Sequence, residues 1–421
     1  MKKLLTYTAL GTVLFAAQAS ASGFLLREQS VAAMGNAFAG ATAGAEDISY
    51  SFYNPAGITR HKGAHANLNA TAITGYVKGY DATSSAAPGR YEDRMNHVVN
   101  RIILPSGYFT YQLNDQWTAG VTTSAPFGLV TDYSRGWVGA NHGTLSDVAT
   151  YNITPVMAYK ANQNLSLAAG FQMQYIDAEL RNGAAHGRLP LYNNAKLEGN
   201  TFDVGYVLGG MYEFNPSTRI GVGYRSEVKH KLKGNVKYDL QGTALGLPAA
   251  MASQMVDQRI SARLTTPALL SLGVYHDIND KWAVMAEAQK TYWSSFKDLT
   301  IIGNQGLFNV THEHWKDVWF YSIGASYKID DQWKVRVGLA YDQTPVSTAY
   351  RTPRIPDSDR IWHSIGAEYK FDDNWTFNGG YTWIRAEKST VNLVNDASRG
   401  DLYARYKGNI HLFGFSVNYN F

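Results

Sequence analysis

Alternation with a period of two runs through this chain. Over residues 333–342, Trp333, Val335, Val337, Leu339 and Tyr341 fall on one side of an extended strand, and Lys334, Arg336 and Asp342 on the other. Successive side chains of a strand point to opposite faces, so each face carries every second residue. The last segment repeats the pattern: Phe413, Phe415, Val417, Tyr419 and Phe421 alternate with Gly414, Ser416, Asn418 and Asn420. Residues 411–421 have the length a tilted strand needs to cross a hydrocarbon layer. A soluble β-sandwich would show the same spacing with its apolar face inward, and the segments between the strands separate the two readings.

Six times an aromatic-rich strand meets a tight turn bearing Asn or Asp, and a second strand follows, often opening with Trp. The copies lie at residues 111–117, 159–165, 212–217, 275–282, 327–333 and 369–375. Asn and Asp suit such turns because their short side chains bond the local backbone and tolerate left-handed conformations. Aromatic rings on both sides of a short turn are what a membrane interface selects. These turns therefore predict one rim of a transmembrane barrel. They account for twelve strands; residues 64–77 supply one before them and the C-terminal run one after. The expected architecture is an all-β membrane protein, a fourteen-stranded antiparallel barrel over residues 64–421. Short turns and both termini face the periplasm. The barrel must close, because an open edge in lipid leaves backbone groups unpaired.

The N-terminus does not alternate. Lys2 and Lys3 precede an apolar stretch from residue 4 to 17, and Ala19-Ser20-Ala21 supplies small residues for cleavage. Residues 1–21 thus read as a secretory signal peptide. Residues 22–63 are rich in Ala and Gly, with helix-sized apolar spacing from Val31 to Phe38. A fourteen-strand ring lies between a small filled barrel and an open porin in bore. This segment is therefore expected to be a helical hatch plugging the lumen. No other stretch offers the roughly 20 apolar residues of a transmembrane helix, and the expected location is the outer membrane of a Gram-negative bacterium.

Composition narrows the chemistry. There is no cysteine, and the formal charge of +4 is spread along the chain, without a nucleic-acid footprint. No Gly-x-Ser-x-Gly elbow, His-Glu-x-x-His pair or phosphate loop occurs, so neither catalytic residues nor a cofactor are expected. His312 and His314 lack an evident third ligand, and no metal is expected. Two expected outer loops carry apolar groups unusual at a wet surface: Leu189 in one, and Leu245, Leu247, Pro248 and Met251 in the other. They are candidates for capturing an apolar ligand. Pro126, Phe127 and Gly128 interrupt the expected third strand. Pro cannot donate to a ladder and Gly weakens it, so a gap in the wall is expected there.

With these residues in view, the chain resembles the long-chain fatty-acid outer-membrane transporter (FadL) family. The likeness runs through Gly23-Phe24, the 33–40 segment, Asn54-Pro55-Ala56, residues 224–229, 312–317 and 355–360, and the terminal Phe421. The resemblance implies a fourteen-stranded barrel with a helical hatch and passive uptake of hydrophobic molecules, released through a lateral opening in the wall. By the same resemblance Phe24 lines an internal ligand pocket, and Asn54, Pro55 and Ala56 are a hatch motif packed near the kink at residues 125–128. Lys316, with Arg181 at a displaced position, would hold a ligand carboxylate. The implied partners are a long-chain fatty acid or similar apolar molecule and outer-membrane lipid, with the chain a monomer. A general porin for polar solutes is the alternative.

Overall fold

The computed structural model of the chain describes residues 22–85, 92–96, 98, 102–184, 193–239, 256–304, 306–396 and 399–421. Its ladder has twenty segments. Six strands are each interrupted once, so the segments make fourteen strands: β1 (Ala64–Ser84), β2 (Ile102–Gln112), β3 (Trp117–Ser124 and Gly128–Asp132), β4 (Leu145–Lys160) and β5 (Leu165–Ala184). Next come β6 (Asn193–Asn215), β7 (Thr218–Arg225 and Val228–Asp239), β8 (Gln258–Thr266 and Leu269–Asp277) and β9 (Trp282–Thr291 and Asp298–Gly303). The set ends with β10 (Gly306–His312 and Val318–Lys328), β11 (Trp333–Asp342), β12 (Arg360–Lys370), β13 (Trp375–Ala386 and Ser389–Leu393) and β14 (Leu402–Asn420). Among the described residues all pairings between the fourteen strands are antiparallel, and β1 closes the ring against β14, with Ala66 opposite Tyr419.

Exposure is inverted relative to a water-soluble sheet. Val337, Leu339, Phe413 and Phe415 are exposed, whereas Arg336, Asp342, Ser416 and Asn418 are buried. The apolar face looks out at lipid and the polar face looks into the lumen. Among the described residues, no helix is long and apolar enough to cross a membrane.

All six short turns are built alike. A side-chain oxygen of Asn114, Asn162, Asn215, Asn279, Asp330 or Asp372 accepts from the backbone N–H groups two and three residues on, at 2.7–2.9 Å. Next to them, Trp117, Trp282, Trp333 and Trp375 stand directly opposite Tyr159, Tyr327, Tyr369 and Tyr419 on the neighbouring strand, each pair with centroids 4.6 Å apart. This ladder of rings forms an aromatic girdle at the short-turn rim.

At the outer rim the strands run further than the alternation predicts. β1 extends to Ser84 instead of residue 77. From the lipid headgroups outward, outward-facing positions need no apolar side chain. On β7 they are Lys229, Lys231 and Lys233, so the signal fades while the ladder continues.

Residues 22–58 are buried except for the half-buried Glu46 and Asp47. They pack inside the lumen against the barrel wall. The α-helix α1 (Val31–Gly35) is capped by Ser30, whose Oγ accepts from Ala33 N–H at 3.2 Å. It is shorter than the apolar spacing suggests. Ala37 and Phe38 adopt positive φ, and Asn36 is pressed onto the wall, where a Cβ on Gly338 would meet its carbonyl carbon at 2.1 Å. Charge fixes the hatch as well. The buried Arg336 of β11 holds Glu46 at 2.5 Å and also pairs with Glu368, and Lys334 lies 3.1 Å from Glu46.

Candidate functional site

The third strand breaks where Pro126 denies it a donor. The segment to Ser124 pairs with both β2 and β4, whereas the segment from Gly128 pairs with β4 alone. Between Ser124 and Gly128 lie three residues, but their partners Asn152 and Ala149 are separated by only two. The extra residue swings β3 away from β2, whose pairing to β3 ends at Gly107 opposite Thr123.

The N-terminal segment occupies the break. Leu25 forms an antiparallel bridge with Phe127, Leu26 N–H donates to Pro126 O at 2.7 Å, and Gly128 N–H donates to Phe24 O at 2.9 Å. Gln29 Nε2 donates to Ala125 O at 2.9 Å, and Ser106 and Tyr108 of β2 donate to Gln29 O. The hatch thus supplies hydrogen bonds that a continuous β2–β3 ladder would have made.

Just before this bridge, Phe24 enters an aromatic cage. Its ring lies edge-on to Trp293 at 4.7 Å and to Phe127 and Phe296 at 5.9 Å, and tilted against Trp315 at 5.8 Å. Gly23 is required here, because a Cβ would stand 2.5 Å from the Trp315 ring and φ is +67°. Phe24 and Phe296 line a narrow chamber of about 100 Å3 whose wall is otherwise mostly Leu, Ile, Val and Ala, including Leu129, Val148, Leu197 and Leu232. Its polar lining comes from Ser146, Glu198, Glu313 and Arg354.

Arg354 comes from the connection between β11 and β12. It donates from Nη1 to Leu145 O and Ser146 Oγ at 2.8 and 2.9 Å, and from Nη2 to Asn182 Oδ1 at 2.9 Å. Burial lowers its pKa to about 10, Arg399 acts in the same direction, and Glu313 opposes both. Glu313 lies in the break of β10, outward of the lipid-facing Tyr321, and accepts from Trp315 Nε1 at 3.1 Å. Burial lifts its carboxyl to about 7, against the pull of that hydrogen bond. An apolar slot with one guanidinium in its lining suits a long chain ending in a carboxylate.

The family model for "Outer membrane protein transport protein (OMPP1/FadL/TodX)" matches residues 12–421. The chain belongs to this family. FadL/TodX proteins are transport proteins of the outer membrane, and this chain is an outer-membrane protein of that kind. A long-chain fatty acid transport protein of Salmonella typhi is 29% identical, over 100% of this chain and 99% of that one. A 47 kDa outer membrane protein of Pasteurella multocida is also 29% identical, over 99% and 98%. The crystal structure of a Pseudomonas aeruginosa FadL homologue superposes with a TM-score of 0.87 at 25% identity, covering 95% of this chain and all of that one. A toluene transporter of Ralstonia pickettii shares the fold at a TM-score of 0.67 and 19% identity, covering 95% and 99%.

On this FadL/TodX frame the residues singled out in the sequence scatter. Phe24 lines the chamber, and Pro126, Phe127 and Gly128 sit at the interruption of β3. Lys316 does not reach the chamber. The chain alternates through 313–316, so Glu313 and Trp315 are buried inside while His314 and Lys316 are exposed. Arg181 is also exposed and pairs with Glu179 at 2.5 Å; it lines an outer polar cleft with Arg135, Lys196 and Lys237. Asn54, Pro55 and Ala56 belong to a segment that packs chiefly on β4, β5 and β6, with a smaller contact to β3. Asn54 Oδ1 caps Ala56 N–H at 3.0 Å, and its Nδ2 donates to Gly210 O at 2.9 Å, where a Cβ on Gly209 would collide with it. Leu189, Leu245, Leu247, Pro248 and Met251 lie outside the described residues. His312 and His314 do have an acidic neighbour: Asp298, directly opposite in the ladder, accepts from His312 Nδ1 at 2.6 Å.

Sequence reasoning missed Arg354, Trp293 and Phe296. One signal was available for Arg354. It lies in Arg351-Thr352-Pro353-Arg354, immediately before the 355–360 segment that carried part of the family likeness.

Proposed function

We propose that this protein takes up long-chain fatty acids passively, and that the chamber beside Phe24 is where they are held. The observation that carries this reading is the pairing of an apolar slot with the half-buried Arg354 guanidinium in its lining. The tail gains about 25 cal/mol for each Å2 of apolar surface taken from water. The carboxylate meets a cation already held in place by backbone and side-chain acceptors, so little ordering is left for binding to do.

Uptake then has three stages. The apolar residues near Leu189 and Leu245–Met251 catch the ligand at the outer surface. It moves into the chamber, its head toward Arg354 in place of the earlier candidates Lys316 and Arg181. Release follows when Phe24–Gln29 withdraw from the break in β3, unzipping Leu25 from Phe127 and letting the chain slide into the membrane between β2 and β3. Residues 1–21 act as a removed export signal, residues 22–63 as the moving hatch and residues 64–421 as the barrel, working as a monomer.

Native mass spectrometry of protein released gently from the membrane tests the cargo. Fatty acid bound at one copy per chain, displaced by added oleate and not by toluene, is the expected result. Displacement by toluene alone would favour an uncharged aromatic cargo.

A further inference from the structure

The wall has a second seam. β5 and β6 pair without a break from Leu165 opposite Tyr212 to Ala184 opposite Asn193. β7 and β8 pair continuously from Val228 opposite Thr266 to Val236 opposite Gln258. Between β6 and β7, pairing stops at Val207 opposite Arg225 and resumes only at Asn200 opposite Lys233. Residues 201–205 and 227–232 make no backbone pair with one another. The lower end is tied by Ser226 N–H donating to Tyr206 O at 2.9 Å. Unpaired edges are disfavoured in lipid, so a seam of this length in a closed barrel calls for a reason.

The seam lies in the outer half of the wall, where three neighbouring strands break: β7 at Ser226-Glu227, β8 at Pro267-Ala268 and β9 over residues 292–297. A cleft of about 1010 Å3 opens there on the outer side. Its β6 edge carries Val204 and Tyr206, both exposed to lipid, with Asp203 beside them; its other edge carries Lys297 and Lys229, the latter 3.1 Å from Glu227. The chamber lies immediately behind. Leu232 of β7 and Phe296 line the chamber, while Lys229 of the same strand and Ser295 and Lys297 line the cleft. One layer of side chains separates the two spaces. In place of a ladder, the closure is a side-chain latch. His230 is buried, its Nδ1 3.0 Å from Asp203 Oδ2 across the seam and its Nε2 2.7 Å from Gln174 Oε1, and Gln172 Nε2 donates to Ser226 O at 2.8 Å. A few side-chain bonds can be released without dismantling either flanking sheet.

We propose that the β6–β7 seam is a side entrance: a single-tailed anionic amphiphile already dissolved in the outer leaflet passes through it into the chamber, its carboxylate received by Lys229 and Lys297. This rests on the fatty-acid reading above and adds a route of loading that the break in β3 does not provide.

The chain has no cysteine, which permits a clean lock. A Cβ on Gly205 would stand 2.6 Å from Ser226 Oγ, so Gly205→Cys with Ser226→Cys places two thiols within bonding reach after a small shift. The full chain is reconstituted in bilayers containing a photoreactive long-chain fatty acid, and the rate of labelling of chamber residues is followed with the lock oxidised and reduced. Oxidation should slow loading roughly fivefold or more, as expected when a gating motion is blocked, and reductant should restore it. In a second variant without a lock, Lys229→Glu with Lys297→Glu, loading should slow while the label finally bound at equilibrium stays the same. Loading at the wild-type rate in both the oxidised lock and the charge-reversed variant overturns the side entrance. Absence of label from the wild-type chamber overturns instead the fatty-acid reading on which it rests.

Discussion

Leu25 pairs with Phe127 as one strand pairs with its neighbour, although Leu25 belongs to the N-terminal segment and Phe127 to the interruption of the third strand. The residue before Leu25 is Phe24, whose ring lines the chamber and packs edge-on to Trp293. Closure of the wall and occupation of the chamber are therefore two consequences of one short stretch of chain. Any displacement of residues 24–26 would break the bridge to Phe127 and loosen the cage together.

Removing the ring tests the cage. Phe24→Ala leaves Trp293, Phe296 and Trp315 facing a void, and loss of a buried aromatic side chain typically costs about 3–5 kcal/mol. Part of that would appear as a lower melting temperature. Equilibrium binding of a fluorescent fatty acid is expected to weaken by about tenfold, a difference of roughly 1.4 kcal/mol. Affinity equal to wild type would show that the ring is only a spacer.

The cation can be assigned by comparing two substitutions. Arg354→Ala should weaken fatty-acid binding more than tenfold, while a long-chain alcohol of equal length is hardly affected, since an ionic hydrogen bond contributes roughly 1.5–3 kcal/mol. Lys316→Ala, at an exposed site, should change neither. The reverse pattern would return the carboxylate to Lys316.

Binding should also depend on pH. Burial raises Glu313 to about 7, so it is neutral below that value and anionic above it. An anionic Glu313 competes with the ligand carboxylate for Arg354. Affinity is therefore highest at the acidic end and falls as pH rises through about 7. Glu313→Gln should flatten the profile between about pH 6 and 8, the range over which such a group titrates. A wild-type profile that is already flat would remove Glu313 from the site.

The hatch is anchored by the Arg336–Glu46–Glu368 cluster, and breaking it should be costly. Glu46→Ala leaves Arg336 with one carboxylate fewer in a buried setting, where losing a partner costs about 3–5 kcal/mol. Heat or denaturant should release the hatch earlier than in wild type, read as ion conductance across a planar bilayer. Conductance as tight as wild type on heating would mean that the contacts of Asn36 and Asn54 hold the hatch by themselves.

The barrel was legible in the sequence because its rules are local. The Asx turns at Asn114 through Asp372, the Trp–Tyr girdle and the period of two each occupy a few consecutive residues. Pro126 announced the interruption of β3 for the same reason. The chamber was much less legible. Trp293, Phe296, Trp315 and Arg354 gather around Phe24 and its chamber only because two strand breaks and one connection converge on the N-terminal segment, and no local pattern records that convergence. Lys316 shows the difficulty most clearly. It sits one residue from the inward-facing Trp315, and a shift of one position in an extended chain moves a side chain from inside to outside. The β6–β7 seam left no mark at all, since Thr201–Gly205 and Glu227–Leu232 alternate like any paired strand.

The most direct measurement compares binding and uptake when the break in β3 is repaired. Pro126→Val with Gly128→Val restores a donor and removes the weak position, favouring a continuous ladder between β2 and β3. Cells carrying this variant should bind labelled oleate at the surface as wild type does and take up almost none. Uptake at the wild-type rate with the repaired strand would contradict release through the wall and the hatch movement that drives it.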